Sequence, residues 1–373
     1  MEDHISGRAF IQHLKSAGEF SIDLSHFFET LKSKRRLSLV SDVAGLLSKM
    51  PAASGNELLL DAKELDEHDL YAGDGHSHKA AVHDKRFDGA KQACGHVYLL
   101  NLRSQALVHL AVADQSPKES EHDMHVLKRT EIDVLRQGAP KRRKVLIVWD
   151  KAGIDFRQWH KWKSQGGVYF LSREKDNMKL ERVGIKEFNS LDPRNEGVLS
   201  DELAATSQGV AVRRIKYMCP VRMEEFSFLT SEYNVPPGLL VHLYRKRWDI
   251  EKVFDELKNK LNEKKAWATS ATAKEMQAQL LCITHNLILL CEKTIEKEKG
   301  IHNKAEVKRR EARASEIKEI IMKNDKVVPV LLVELQRITV RSIKFIRWLR
   351  AQLFHKPCEE PSWDQLIRLY AHL

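Results

Sequence analysis

The spacing of apolar and polar residues changes twice along this chain, and each change marks a different kind of element. From about residue 6 to 50, apolar residues recur every three or four positions, which predicts short amphipathic helices. Residues 51–66, with Pro51 and Gly55, read as a connection. Near residue 68 the period shortens. Asp69-Leu70-Tyr71-Ala72-Gly73-Asp74-Gly75 predicts a strand ending in an acidic turn, and His96–Leu102 and Ala106–Val112 predict two more. A helical pattern over about 119–137 precedes Lys144-Val145-Leu146-Ile147-Val148-Trp149-Asp150. That nearly continuous apolar run suits a strand buried on both faces. A helix from about Phe156 to Gln165 and a strand Val168–Leu171 complete the set. The first three strands can pair by hairpins, and the later two need helical crossovers.

From about 173 to 232 the helical period is lost. Gly209–Val212 and Arg214–Tyr217 are β-like runs, and Pro193, Gly197 and Pro220 punctuate the stretch, so it reads as a β-rich insertion. Pro236-Pro237 then precedes a strong helical pattern from about Leu239 to Leu261, and the chain is helical in pattern after 270. Residues 292–326 are dense in both charges, as a solvated helix with i,i+4 ion pairs would be. Ile338–Leu353 mixes basic and apolar residues at helical spacing and suits packing on the core, on a second subunit or on DNA. The expected fold is α/β, divided at 1–66 (helical), 67–172 (first part of a core), 173–232 (β insertion), 233–291 (second part of the core) and 292–373 (helical).

Composition narrows the class. Over 373 residues, a 42% hydrophobic share supports a buried core, and a net charge of +10 favours a polyanionic partner through counterion release. The cysteines (Cys94, Cys219, Cys282, Cys291 and Cys358) form no C-x-x-C pair, which excludes a zinc ribbon and argues for a reducing compartment. No apolar run is long enough to span a membrane, and the acidic start Met1-Glu2-Asp3-His4 is unlike a signal peptide. The expected location is cytoplasmic, with the nucleoid.

The chemistry is concentrated between 239 and 261. On a single helix Tyr244, Arg247, Glu251 and Lys258 fall within roughly 60° of arc, beside an apolar sector of Leu239, Leu243, Ile250, Val253, Phe254, Leu257 and Leu261. A lone glutamate among cations is ordinarily an ion-pair ladder. The full pattern Y-x2-R-x3-E-x6-K, however, resembles the signature of bacterial insertion-sequence transposases of the DDE type that carry a Y-R-E-K motif. The resemblance covers roughly 68–290.

That resemblance implies an RNase-H-like mixed sheet interrupted by a β-rich insertion before the helix that carries the glutamate. It implies catalytic, metal-holding carboxylates at Asp74, Asp150 and Glu251, with Asp84 and Asp155 in reserve for the first two. It further implies DNA contacts from Tyr244, Arg247 and Lys258, Mg²⁺ or Mn²⁺ as cofactor, double-stranded DNA of element ends and target as partner, and a homodimer or larger assembly on DNA. The chain departs from the family pattern where His76 follows Gly75 and where Lys151-Ala152-Gly153 follows Asp150. Phosphodiester transfer suits such a set: hard cations about 3.5–4 Å apart, held by carboxylate oxygens, relieve charge on both the attacking and the leaving oxygen. Arg and Lys clamp phosphates. Three rivals remain: a metal hydrolase or nuclease built on His76, His78 and His83 with Asp74 and Asp84, a catalytically silent DNA-binding derivative, and a repair or restriction nuclease with the same core.

Overall fold

The computed structural model describes residues 7–332 except 17, 19–20, 51–59, 115–120, 260, 262, 301–303 and 330. The predicted helical stretch Ile338–Leu353 and Cys358 lie outside the described residues.

Among the described residues one mixed sheet of nine strands runs through the chain, in the order β3-β2-β1-β4-β5-β9-β8-β7-β6. Strands β1 (His68–His78), β2 (Cys94–Asn101) and β3 (Leu107–Val112) form an antiparallel meander. Strands β4 (Lys144–Val148) and β5 (Val168–Arg173) add parallel to β1 and to each other. Each parallel step needs a crossover. Helices α4 (Asp123–Arg129) and α5 (Ile132–Leu135) supply the first, and α6 (Phe156–Gly166) the second. The sequence predicts one helix over about 119–137; the chain instead breaks at Thr130, whose N–H closes on Val126 O and Leu127 O.

The β-rich insertion continues this sheet. Strands β6 (Glu181–Ile185), β7 (Val198–Ala205), β8 (Ala211–Cys219) and β9 (Glu224–Thr230) are antiparallel, and β9 returns to pair with β5. The stretch thus extends the sheet beyond β5 and hands the chain back to the core at Thr230.

Alternation along β1 and β4 fills a core on each face, as their continuous apolar runs require. Leu70, Ala72, Leu146 and Val148 join one core with residues of α7 (Pro237–Lys246), α8 (Trp248–Asn259) and α9 (Ala271–Lys299). Tyr71, Val145 and Ile147 join the other with Leu127, Trp159 and Trp162 from α4 and α6. The N-terminal α1 (Gly7–Ser16), α2 (Leu24–Lys32) and α3 (Lys34–Lys49) form as the early period predicts, and α2 and α3 pack on α9 through Phe27, Leu31, Leu37 and Val40. Helix α10 (Lys304–Lys323) follows α9. No described helix is long and apolar enough to cross a membrane.

Candidate active site

Parallel pairing sets the first two carboxylates side by side. Ala72 is in register with Val148, so continuing by two residues brings Asp74 level with Asp150, just past the end of β4. Even-numbered positions of both strands face α7–α9, so both carboxylates point to that side. The two flanking glycines are required by packing on the opposite side. A Cβ on Gly73 would lie 1.9 Å from the buried Trp149 ring, and one on Gly75 would lie 2.6 Å from the Asp123 carboxylate. Asp150 caps the turn at Lys151–Gly153, accepting from Ala152 N at 2.8 Å, which fixes its carboxylate as the strand ends.

The third carboxylate comes from a helix that is not continuous. The predicted single helix over Leu239–Leu261 is two, α7 and α8, separated at Arg247. There the bonds tighten: Arg247 N–H donates to Tyr244 O at 3.1 Å, and Ile250 N–H to Arg247 O at 3.2 Å. Pro237 starts α7, and a buried Lys246–Asp249 ion pair of 2.8 Å spans the break. Arg247, only 6% exposed, turns inward. Its Nη1 donates to Asp74 Oδ2 at 3.1 Å and its Nη2 to Glu251 Oε1 at 2.8 Å. One guanidinium therefore ties β1 to α8.

The electrostatics follow from this crowding. Burial pushes the Asp74 carboxyl up to about 7; Arg247 opposes the shift and the charge of Asp150 adds to it. Burial and Asp150 also raise Asp123, which stands at the start of α4. Asp123 is a fourth acidic neighbour that the sequence reading did not single out. An acidic residue in the first turn of a helix is ordinarily a partner for the helix dipole, so nothing in its local sequence distinguishes it.

The other sequence candidates separate into distinct environments. Tyr244 is half-buried against Phe228, with ring centroids 5.2 Å apart, and the Arg247 guanidinium lies 6.0 Å from its ring. Burial raises its hydroxyl, and Asp150 contributes to that shift. Lys258 is exposed in the last turn of α8, two turns beyond Glu251. Trp248 is exposed, beside Arg247 at 5.1 Å. The reserve carboxylates have local duties. Asp84 accepts from Ala81 N at 2.7 Å and pairs with Lys274 at 3.1 Å. Asp155 caps α6 through Gln158 N and pairs with Lys128. The rival histidine cluster is not assembled as the sequence suggests: His83 is exposed, while His76 and His78 are buried. His76, the departure after Gly75, donates from Nε2 to Glu263 Oε2 at 2.8 Å and stacks on Phe254.

A 3-2-1-4-5 sheet with one carboxylate within β1, a second just past the end of β4 and a third on a helix packed beside them is an RNase-H-like arrangement. Residues 57–287 match the family model described as the transposase DDE domain. The chain belongs to this family, whose members act on DNA in transposition and use divalent metals, typically Mg²⁺. No curated protein matches the chain. The residues present fit a hard cation. Every donor is a carboxylate oxygen, and the burial and repulsion that raise Asp74 are what a cation would offset.

Proposed function

We propose that this chain is a transposase of the Y-R-E-K type. In this reading it binds the ends of a mobile element, cleaves phosphodiesters there and joins the freed 3′-ends to target DNA. Asp74, Asp150 and Glu251 are its catalytic, metal-holding residues. The observation that supports this most is the meeting of Asp74 and Glu251 on one guanidinium 173 residues along the chain from Asp74, with Asp150 beside Asp74 in register.

Asp74, Asp150 and Glu251 would hold divalent ions, which would supply charge neutralisation at the phosphate and a more nucleophilic hydroxyl or water. The protein supplies the rest. Arg247 holds Asp74 and Glu251 in place while the site is being filled. It keeps a positive charge beside the phosphate once its carboxylates turn to other partners. Tyr244 offers a hydroxyl donor close to Asp150. Lys258, exposed about 10 Å further along α8, meets the DNA backbone as a point charge and sets register without reading sequence. The N- and C-terminal helical regions are assigned to DNA and to a second copy of the chain.

The test is nicking of a labelled duplex carrying the element's flanking inverted repeat, with Mg²⁺ or Mn²⁺. Wild type should cut at the repeat tip. Asp150→Ala and Glu251→Ala should lose about a hundredfold to a thousandfold in rate, as expected when a principal charge-stabilising group is removed, and should still bind. Binding without cleavage by wild type would instead identify a silent derivative. Cleavage that survives Glu251→Ala would remove Glu251 from the mechanism.

A further inference from the structure

Strands β1 and β2 carry two short motifs, His76-Ser77-His78 and Cys94-Gly95-His96, and their register sets the motifs opposite each other. His76 pairs with His96 and His78 with Cys94, so all four side chains share the face that α8 and α9 cover. All four are buried, at 5% exposure or less. His78 Nε2 lies 3.0 Å from His96 Nε2, and Cys94 Sγ lies 3.3 Å from the same nitrogen. The ligand atoms of His78, Cys94 and His96 all fall within 4.8 Å of one another.

These groups do not satisfy one another. His78 Nδ1 faces the Lys79 carbonyl at 3.1 Å, and a carbonyl can only accept, so the proton of a neutral His78 sits there. Its Nε2 then presents a lone pair to His96. A proton on His96 Nε2 can serve either His78 or Cys94, not both. A third acceptor stands alongside. Glu263 Oε1 is 3.8 Å from His78 Nε2, fully buried, and without a hydrogen-bond partner among the described residues. Its other oxygen is held by His76 at 2.8 Å. Two imidazole nitrogens and a thiol thus converge where one cation would satisfy all three, with an unpartnered carboxylate oxygen beside His78.

We propose that His78, Cys94 and His96 bind a structural zinc ion, with Glu263, whose Oε1 stands 3.8 Å from His78 Nε2, turning in as the fourth ligand. The separations of 3.0 Å between the two imidazole nitrogens and 3.3 Å between nitrogen and sulfur lie within about 0.3 Å of the edges of a tetrahedron. With Zn–N of about 2.0–2.1 Å and Zn–S of about 2.3 Å, nitrogens sit about 3.3 Å apart and nitrogen and sulfur about 3.6 Å apart. Charge also closes, because a thiolate and a carboxylate cancel the dication, as a dry site demands. Nitrogen and sulfur ligands select zinc over the hard cations that suit Asp74, Asp150 and Glu251. The outer contacts are in place: the Lys79 carbonyl orients His78, His109 Nε2 meets His96 Nδ1 at 3.2 Å, and His76 orients Glu263.

The site's position gives it a task. His78 lies four residues beyond Asp74 on β1, about 13 Å at strand rise. Glu263 follows the helix that carries Glu251, in a segment already bonded to the residue just after β1 through Ala266 N and Lys79 O at 2.8 Å. Zinc would rivet that segment to β1 and β2, fixing the helix of one carboxylate relative to the strand of another.

Zinc content and the cobalt(II) spectrum of the full chain test this without reference to activity. Wild type should carry about one zinc per chain. Its cobalt form should show a thiolate-to-metal charge-transfer band with tetrahedral visible bands. Stripping the metal should lower Tm. Cys94→Ser should abolish the charge-transfer band, and His109→Phe, outside the ligand set, should weaken zinc about tenfold or more. Asp74→Asn should change neither zinc content nor spectrum. A folded wild type that takes up no zinc at micromolar excess, or a cobalt form without the thiolate band, would overturn the proposal whether or not any variant folds. A band that persists in Cys94→Ser would do the same.

Discussion

Asp74 sits where burial and, after it, Asp150 oppose its charge, while Arg247 and the Gly75 N–H favour it. Its carboxyl is raised to about 7, so between the ordinary carboxylate range and neutrality the folded chain holds a proton that the unfolded chain releases. Stability attributable to this group therefore falls as pH rises through that window and stays low above about 7. Asp74→Asn removes the titration. Without metal, the variant should be more stable than wild type at about pH 8, by on the order of 1–2 kcal/mol, because removing a buried charge that Asp150 also repels outweighs the lost Arg247 pair. Near pH 4, where wild-type Asp74 is itself protonated, the difference should shrink to nothing. Thermal unfolding in chelator across this range measures it. A difference independent of pH would mean that Asp74 is not strained by its neighbours. Added Mg²⁺ should reverse the order above neutrality, since the charged wild-type carboxylate then has a partner.

At the scale of elements, α7 decides where α8 points, and a glycine decides where α7 lies. A Cβ on Gly238 would stand 1.9 Å from Arg194 O and 2.9 Å from Asn195 Cα, both backbone atoms that cannot swing aside. Gly238 N–H also donates to Asn195 Oδ1 at 2.9 Å. In an open helix Gly→Ala stabilises by about 1 kcal/mol; here Gly238→Ala should cost about 2–3 kcal/mol in urea denaturation and slow nicking as well. Stability equal to wild type would show that α7 can lift away from the insertion freely. The sequence made the strands legible because their period is a local signal, although β1 runs on past the acidic turn expected at Asp74-Gly75 and ends at His78. The break at Arg247 was hidden because no Pro or Gly falls between Leu239 and Leu261 and the apolar period runs straight through it. Arg247 thus reads as an outward DNA contact although it turns inward to two carboxylates. His78, Cys94 and His96 were obscured for another reason. Their meeting depends on strand register, and proximity in sequence drew attention to His83, which the fold leaves on the surface.

Over the whole molecule, the extension beyond β5 has to be rigid for the site to close, since the chain passes through it between Asp150 and Glu251. Its anchor is Arg213 on β8, 1% exposed. Its Nη2 meets Asp201 Oδ2 at 2.6 Å, its Nε meets Asp201 Oδ1 at 2.8 Å, and its Nη1 donates to Glu232 O and Val235 O just ahead of α7. Glu232 in turn holds His68 at the start of β1, with 3.1 Å between Oε2 and Nε2. A buried ion pair of this kind contributes little net stability but is costly to break from one side. Asp201→Leu, which leaves an unpaired buried guanidinium, should lose about 3–5 kcal/mol. The double variant Asp201→Leu with Arg213→Met should lose clearly less than the sum of the two singles, which a double-mutant cycle by urea denaturation reads directly. Because Arg213 also satisfies two carbonyls ahead of α7, the double variant should remain folded yet position α8 less well, so nicking should stay low even where stability recovers. Full recovery of nicking with stability would mean that the extension only stabilises the core. Recovery of stability alone would mean that it also aims the helix bearing Glu251.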